Sequence, residues 1–292
     1  MREGVYKEMN KMINNTIPSF LKLLESNDIG LHDLNKYYDM HPEAFEEYFK
    51  FHCPKTEERL SSAIEKYPAK LEDIRIISEI LPSIIQEVSK DYRIQFGSNI
   101  DVTFHIFVGG FGSNAFVERE IIGDIFFAAE KLSPVREHLR VIVAHEIGHI
   151  YHNVALQENG MDWTKAEWND APVSLYREGV ATYLSQLIVK GLSESVYYSY
   201  SSNGDSSLQY YKEIEENIKK RFLQDYVEGW TVEKEKEWFR LSGGTYFGYN
   251  RLGYFLGKSY IEYMVRTFGE TEALTFWGEN NLRSSVMEWL QK

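Results

Sequence analysis

The chain predicts an α+β fold, mostly helical, with one small mixed sheet and a helical N-terminal lobe. Three observations carry this. Apolar residues recur at helical spacing along most of the sequence, as in Ile74, Ile77, Ile80, Ile84, Ile85 and Val88. Strand-like alternation is confined to two short stretches, 101–108 and 121–129. A run from Leu139 to Val154 is apolar on nearly every side, which marks a helix buried in a core.

The elements follow in order. Residues 1–95 read as a lobe of several helices broken at His41-Pro42, Cys53-Pro54, Tyr67-Pro68 and Leu81-Pro82. Residues 96–292 form the second region, with the sheet at 100–130. Val102, Phe104, Ile106 and Val108 share one strand face; His105 points to the other and reads as a structural residue. A helix over 133–158 is entered at Ser133-Pro134, a cap followed by proline at the first helical position, and ends at Asn159-Gly160. A second helix, over 171–190, is entered at Asp170-Ala171-Pro172 and left at Lys190-Gly191. The Ser- and Tyr-rich stretch 193–207 predicts a mobile loop, and 208–292 returns to helical spacing, with helices over 208–227 and 250–267.

Of the 292 residues 43% are hydrophobic, enough for a substantial core. Against 32 basic residues stand 44 acidic ones, a formal charge of −12 that repels phosphate backbones and anionic lipid, so nucleic-acid and membrane partners are not expected. The stretch Met1–Glu8 lacks the apolar core of a signal peptide, and no run approaches the ~20 apolar residues that span a bilayer. A single cysteine, Cys53, permits no internal disulfide. A cytoplasmic protein is the expectation.

The chemistry concentrates in Ala144-His145-Glu146-Ile147-Gly148-His149. On a helix, residues i and i+4 share a face, so His145 and His149 can each aim a ring nitrogen at one metal ion, with Glu146 beside its open side. This is the His-Glu-x-x-His arrangement of zinc hydrolases, in which the glutamate acts as base on a water. A catalytic zinc usually takes a third protein ligand. His152 points the same way but stands about 10 Å along the axis from His145, at ~1.5 Å rise per residue, so one ion cannot bind both. A third histidine of metzincin type would fall at position 155, which is Ala155. Glu178, in Tyr176-Arg177-Glu178-Gly179-Val180-Ala181, begins the second helix pattern and is the candidate third ligand.

On these residues the chain resembles the gluzincins, the thermolysin-like zinc peptidases, whose third ligand is a glutamate on a second helix. The Glu-Gly-x-Ala at 178–181 is similar to their second motif, and an insertion over Gln157–Asn169 accounts for the longer spacing. The resemblance covers roughly 100–185. It implies a zincin catalytic domain holding one Zn2+ per chain through His145, His149 and Glu178, and a peptide or protein substrate.

Asn114-Ala115-Phe116-Val117 is similar to the family's stretch on the edge strand lining the cleft. The resemblance implies that Asn114 and Ala115 hold substrate backbone, as an open strand edge can. It also implies an oxyanion donor from beyond the metal helices, for which Tyr249 and Tyr246 are the candidates, with Arg251 as a substrate-binding neighbour; all three lie in or near the glycine-rich stretch from Ser242. The chain departs from the family at Thr182, where thermolysin relatives carry an aspartate, and it lacks the aminopeptidase Gly-x-Met-Glu-Asn motif.

The expected function is zinc-dependent peptide-bond hydrolysis with Glu146 as general base and acid. Two alternatives stay open: a zincin-fold binding or regulatory protein without proteolytic activity, and a hydrogen-bonded core cluster of both histidines and Glu146 without metal.

Overall fold

The computed structural model describes residues 13–24, 29–97, 101–200, 205–279 and 281–292. Met1–Glu8, read above for a signal peptide, lies outside them. The chain divides into two units, residues 1–146 and 147–292, and the division falls inside a single helix.

The first unit opens with β1 (Ile13–Asn15), paired in parallel with β2 (Phe104–Phe107). Three residues carry too little alternation to be read as a strand, so the N-terminal segment, expected to be all helix, in fact contributes to the sheet. The helices α1 (Ile17–Leu24), α2 (Leu31–Asp39), α3 (Pro42–Glu47) and α4 (Glu57–Phe96) follow. Pro42 opens α3, where its missing N–H costs nothing.

The breaks predicted at Pro68 and Pro82 do not occur, because α4 runs through both. An interior proline orphans the carbonyl four residues back and ordinarily costs ~3 kcal/mol or more. At Pro82 that carbonyl belongs to Ser78, and Asn15 Nδ2 on β1 donates to it at 3.3 Å. The strand supplies the hydrogen bond that the proline cannot. Asn15→Asp keeps the side-chain oxygen that accepts from Ile17 N–H at 3.1 Å and replaces the donor with an anionic oxygen facing the Ser78 carbonyl. It should lose about 1–2 kcal/mol of stability in chemical denaturation. The loss should shrink in a Pro82→Ala background, where a backbone N–H returns; an equal loss in both backgrounds would refute this role.

The sheet runs β1-β2-β4-β3, with β4 (Ile125–Ala128) parallel to β2 and β3 (Ala115–Val117) antiparallel to β4. It is small and mixed, within a mostly helical chain. All residues of β2 and β4 are buried, as for central parallel strands covered on both faces. His105 is 4% exposed, stacked on Phe126 at 4.5 Å with Nε2 3.3 Å from Asp124 Oδ2, a structural residue of the sheet. Ahead of β3, the turn at Gly109–Phe111 is pinned by buried Glu130, whose two carboxyl oxygens accept from Gly109 N–H at 2.9 Å and Phe111 N–H at 3.1 Å. Burial pushes that carboxyl up to about 7.

The shared helix, α5 (Arg136–Glu158), starts two residues after the predicted first position, Pro134; Ser133 Oγ accepts from Val135 N–H at 3.3 Å. Tyr92 on α4 donates to the Ala144 carbonyl at 2.7 Å, and Arg140 reaches Glu87 at 3.2 Å and Asp91 at 3.5 Å. Every residue from Val141 to Ile150 is buried.

In the second unit α5 ends before Gly160, whose φ of 81° supplies the predicted left-handed stop. The helices α6 (Ala171–Ile188), α7 (Val196–Ser199), α8 (Asp205–Glu213), α9 (Glu215–Val227), α10 (Val232–Phe239), α11 (Leu252–Phe268), α12 (Glu270–Thr275) and α13 (Leu282–Leu290) complete it. Two expectations change here. The predicted loop at 193–207 contains α7, because Val196, Tyr197 and Tyr198 bury their side chains; residues 201–204 lie outside the described ones. The single helix read over 208–227 is two helices that meet at Ile214.

At the crossing of α6 with α11, Gly179 faces Gly257 so closely that a β-carbon on Gly179 would lie 2.3 Å from the Gly257 backbone. Only glycine permits that approach. Among the described residues no helix is long and apolar enough to cross a membrane.

Candidate metal centre

Because α5 is one uninterrupted helix, His145 and His149 stand one turn apart on a common face. They are 1% and 8% exposed. Glu178 comes from α6, and its Oε2 lies 3.5 Å from His149 Nε2. One ligating atom from each of His145, His149 and Glu178 lies within 4.8 Å of the others. The expected ligand set is therefore brought together.

The residues fit a zinc-sized ion on geometry and donor type. Ligand atoms at ~2.0–2.1 Å from a tetrahedral centre stand about 3.4 Å from one another, close to the His149–Glu178 separation. Two imidazoles and a carboxylate are a catalytic donor set that leaves one position open. Glu146, next to His145, is 7% exposed, so the carboxylate expected to act as base is held in a largely dehydrated setting.

His152 is not a member of the cluster. It is 1% exposed, its ring lies edge-on to Tyr176 at 5.2 Å, and burial, helped by the charges of Arg177 and His149, holds its pKa well below the usual imidazole value. Thr182 turns back on its own helix and donates to the Glu178 carbonyl at 2.7 Å. That bond braces the backbone of the ligand instead of carrying an aspartate's charge.

Glu178 owes its placement to the glycine after it. With Gly179 against Gly257, α6 and α11 meet at backbone contact, which fixes how far α6 can travel along or away from its neighbour.

The expected oxyanion donors have other partners. Tyr249 packs edge-on to Tyr211 at 4.9 Å and against Tyr210 at 6.2 Å. Tyr246 is 41% exposed, with the Arg221 guanidinium 4.1 Å from its ring centroid. Arg251 is 6% exposed, sits at φ 60° ahead of α11, donates to the Tyr198 carbonyl at 3.4 Å and lies 4.8 Å from the Tyr200 ring.

The Asn114-Ala115 stretch lies on the edge strand of the sheet in the first unit, where Ser113 N–H donates to the His52 carbonyl at 3.2 Å and Arg119 N–H to Glu47 Oε1 at 3.4 Å. Ala128 N–H donates to the Asn114 carbonyl at 2.8 Å and Glu118 N–H to the Asp124 carbonyl at 2.9 Å. In an antiparallel ladder the hydrogen-bonded residues alternate, so Asn114, Phe116 and Glu118 turn their backbone groups toward β4. Ala115 and Val117 therefore direct N–H and C=O away from β4, between the contacts that Ser113 and Arg119 make with the 47–52 segment.

Sequence reasoning missed two charged neighbours of Glu178. Glu235 on α10 is raised by burial, with the Glu178 charge adding to the effect and Arg240 opposing it; Trp230 Nε1 donates to it at 3.3 Å. Arg177 lies beside three tryptophans gathered from separate segments. Adjacency to Glu178 was the only sequence signal for it. Compared with protein-family models, with curated proteins and with solved structures, the chain finds no match.

Proposed function

We propose that this protein is a zinc-dependent peptidase of gluzincin type. The observation that carries the reading is the convergence of His145, His149 and Glu178, from two helices, with Glu146 next to the first ligand. A divalent ion held there supplies Lewis-acid polarisation of a carbonyl and a lowered pKa for a water. Glu146 takes the proton of the attacking water on its carboxylate and later delivers it to the departing amine. Its burial suits a base whose proton must pass to substrate and not to bulk solvent. An extended peptide would pair with Ala115 and Val117, whose backbone groups face away from β4 and recognise main chain regardless of side chain, with Asn114 alongside them.

The test is metal content. Protein purified without added zinc should carry one zinc per chain by elemental analysis, and His145→Ala, His149→Ala and Glu178→Ala should each lose most of it. His152→Ala should retain it. Zinc bound by Glu178→Ala as tightly as by the parent would remove the gluzincin assignment.

A further inference from the structure

Arg177 precedes the ligand Glu178 on α6, and its surroundings are unusual for a charged residue. Its guanidinium carbon lies 4.7 Å from the Trp168 ring centroid and 6.0 Å from that of Trp277. Trp163 stacks on Trp168 at 5.5 Å with the planes 8° apart, and both meet Trp277 at 88°. The three indoles form an L-shaped wall along which the guanidinium rests. Its Nε is buried, and among the described residues no oxygen accepts a hydrogen bond from it.

The acidic residues that could pair with it are otherwise engaged. Glu167 and Asp170, on the loop that carries Trp168, both bind Arg283. Glu178 is directed to His149. Burial lowers the Arg177 pKa from its ordinary value while the Glu178 charge opposes the change, yet a guanidinium remains charged at any working pH. A guanidinium held over the face of an indole makes no hydrogen bond with the ring and so keeps its N–H groups for an acceptor that reaches it. A planar fork held this way matches the two oxygens of a carboxylate. Against a net charge of −12, an anionic peptide gains nothing from the overall field, so binding one requires a local cation of this kind.

We propose that Arg177, stacked against Trp168 and Trp277, receives a carboxylate of the peptide ligand next to Glu178 and gives this site a preference for anionic peptides. The word peptide rests on the peptidase reading above; the carboxylate recognition rests on Arg177 and its wall. The carboxylate has two possible sources, a free C-terminus or an acidic side chain, and the experiment separates them.

The test uses zinc-loaded Glu146→Gln protein, which binds without turnover, and reads tryptophan fluorescence, since three of the six tryptophans form the wall. Four N-acetylated tetrapeptides are titrated: a neutral sequence ending in acid, the same sequence ending in amide, and the amide with one internal Glu or Gln. At least tenfold tighter binding of acid over amide identifies the terminal carboxylate, and the same margin of Glu over Gln identifies the side chain. Arg177→Met should bring the preferred pair within twofold of each other. Arg177→Lys, which keeps the charge and the stem but not the fork, should retain only part of the margin; it decides the matter if Arg177→Met does not fold. Equal affinity for all four peptides, no saturable binding, or a preference surviving in either Arg177 variant at full size would overturn the proposal. Should the parent enzyme cleave no peptide while the Arg177-dependent preference persists, the peptidase reading fails and the carboxylate site stands.

Discussion

Glu146→Gln should keep its zinc and lose peptide hydrolysis by about 10²- to 10⁴-fold, the usual contribution of general acid-base catalysis. The amide nearly matches the carboxylate in size, so the buried space around position 146 is filled as before and the helix that presents His145 and His149 is undisturbed. What changes is proton chemistry, since an amide oxygen accepts no proton at neutral pH. The loss belongs in kcat, because the proton transfer occurs only as the bond breaks, and elemental analysis of the same sample gives the metal content. Hydrolysis within tenfold of the parent, at full zinc occupancy, would show that another group takes the proton.

The second large effect lies outside the proposed metal ligands. Gly179→Ala places a methyl group 2.3 Å from the Gly257 carbonyl carbon and oxygen, both backbone atoms that no side-chain rotation can move aside. To restore ordinary contact α6 and α11 must part by about 1 Å, a change several times larger than the ~0.2 Å tolerance of metal–ligand distances. Overpacking of this kind costs roughly 1–3 kcal/mol, occasionally more, and at this chain length that lowers Tm by on the order of 2–5 °C. Because Glu178 is the preceding residue, zinc affinity should drop by about 10- to 100-fold, the scale seen when the residues supporting a ligand are lost. Gly257→Ala should behave alike, since its methyl group would meet the Leu175 carbonyl at 2.3 Å. Calorimetry and competition with a chelator read the two effects separately. A variant that melts within 1 °C of the parent and holds zinc equally well would mean that the crossing has slack.

The His145, His149 and Glu178 cluster was legible because its logic is local. His145 and His149 are related by helix geometry alone, and Glu178 was found by asking which later helix could add a carboxylate. The strands at 104–107 and 125–128 were legible for a similar reason, although complete burial replaced the one-sided alternation read from their residues. What sequence could not supply was partners distant along the chain. Pro82 looked like a helix break because the donor that rescues its orphaned carbonyl is 63 residues away from Ser78, on a strand too short to be recognised. The glycine in Glu-Gly-x-Ala matched a motif, yet the reason for its small size is Gly257 on another helix. Nothing in the sequence marked Arg177, because Trp168 and Trp277, which flank it, lie 9 and 100 residues away.

The edge strand of the sheet has a consequence for the protein in a crowded solution. A strand with outward N–H and C=O groups is a template that any extended chain, including another copy of itself, could extend without limit. Here the template is three residues long, about 10 Å, and Glu118, Arg119 and Glu120 follow it at once. A fibril needs longer, uncharged edges that stack copy on copy. The brevity of the edge and the charges that follow it thus deny a foothold to growing aggregates and keep the protein from becoming its own guest.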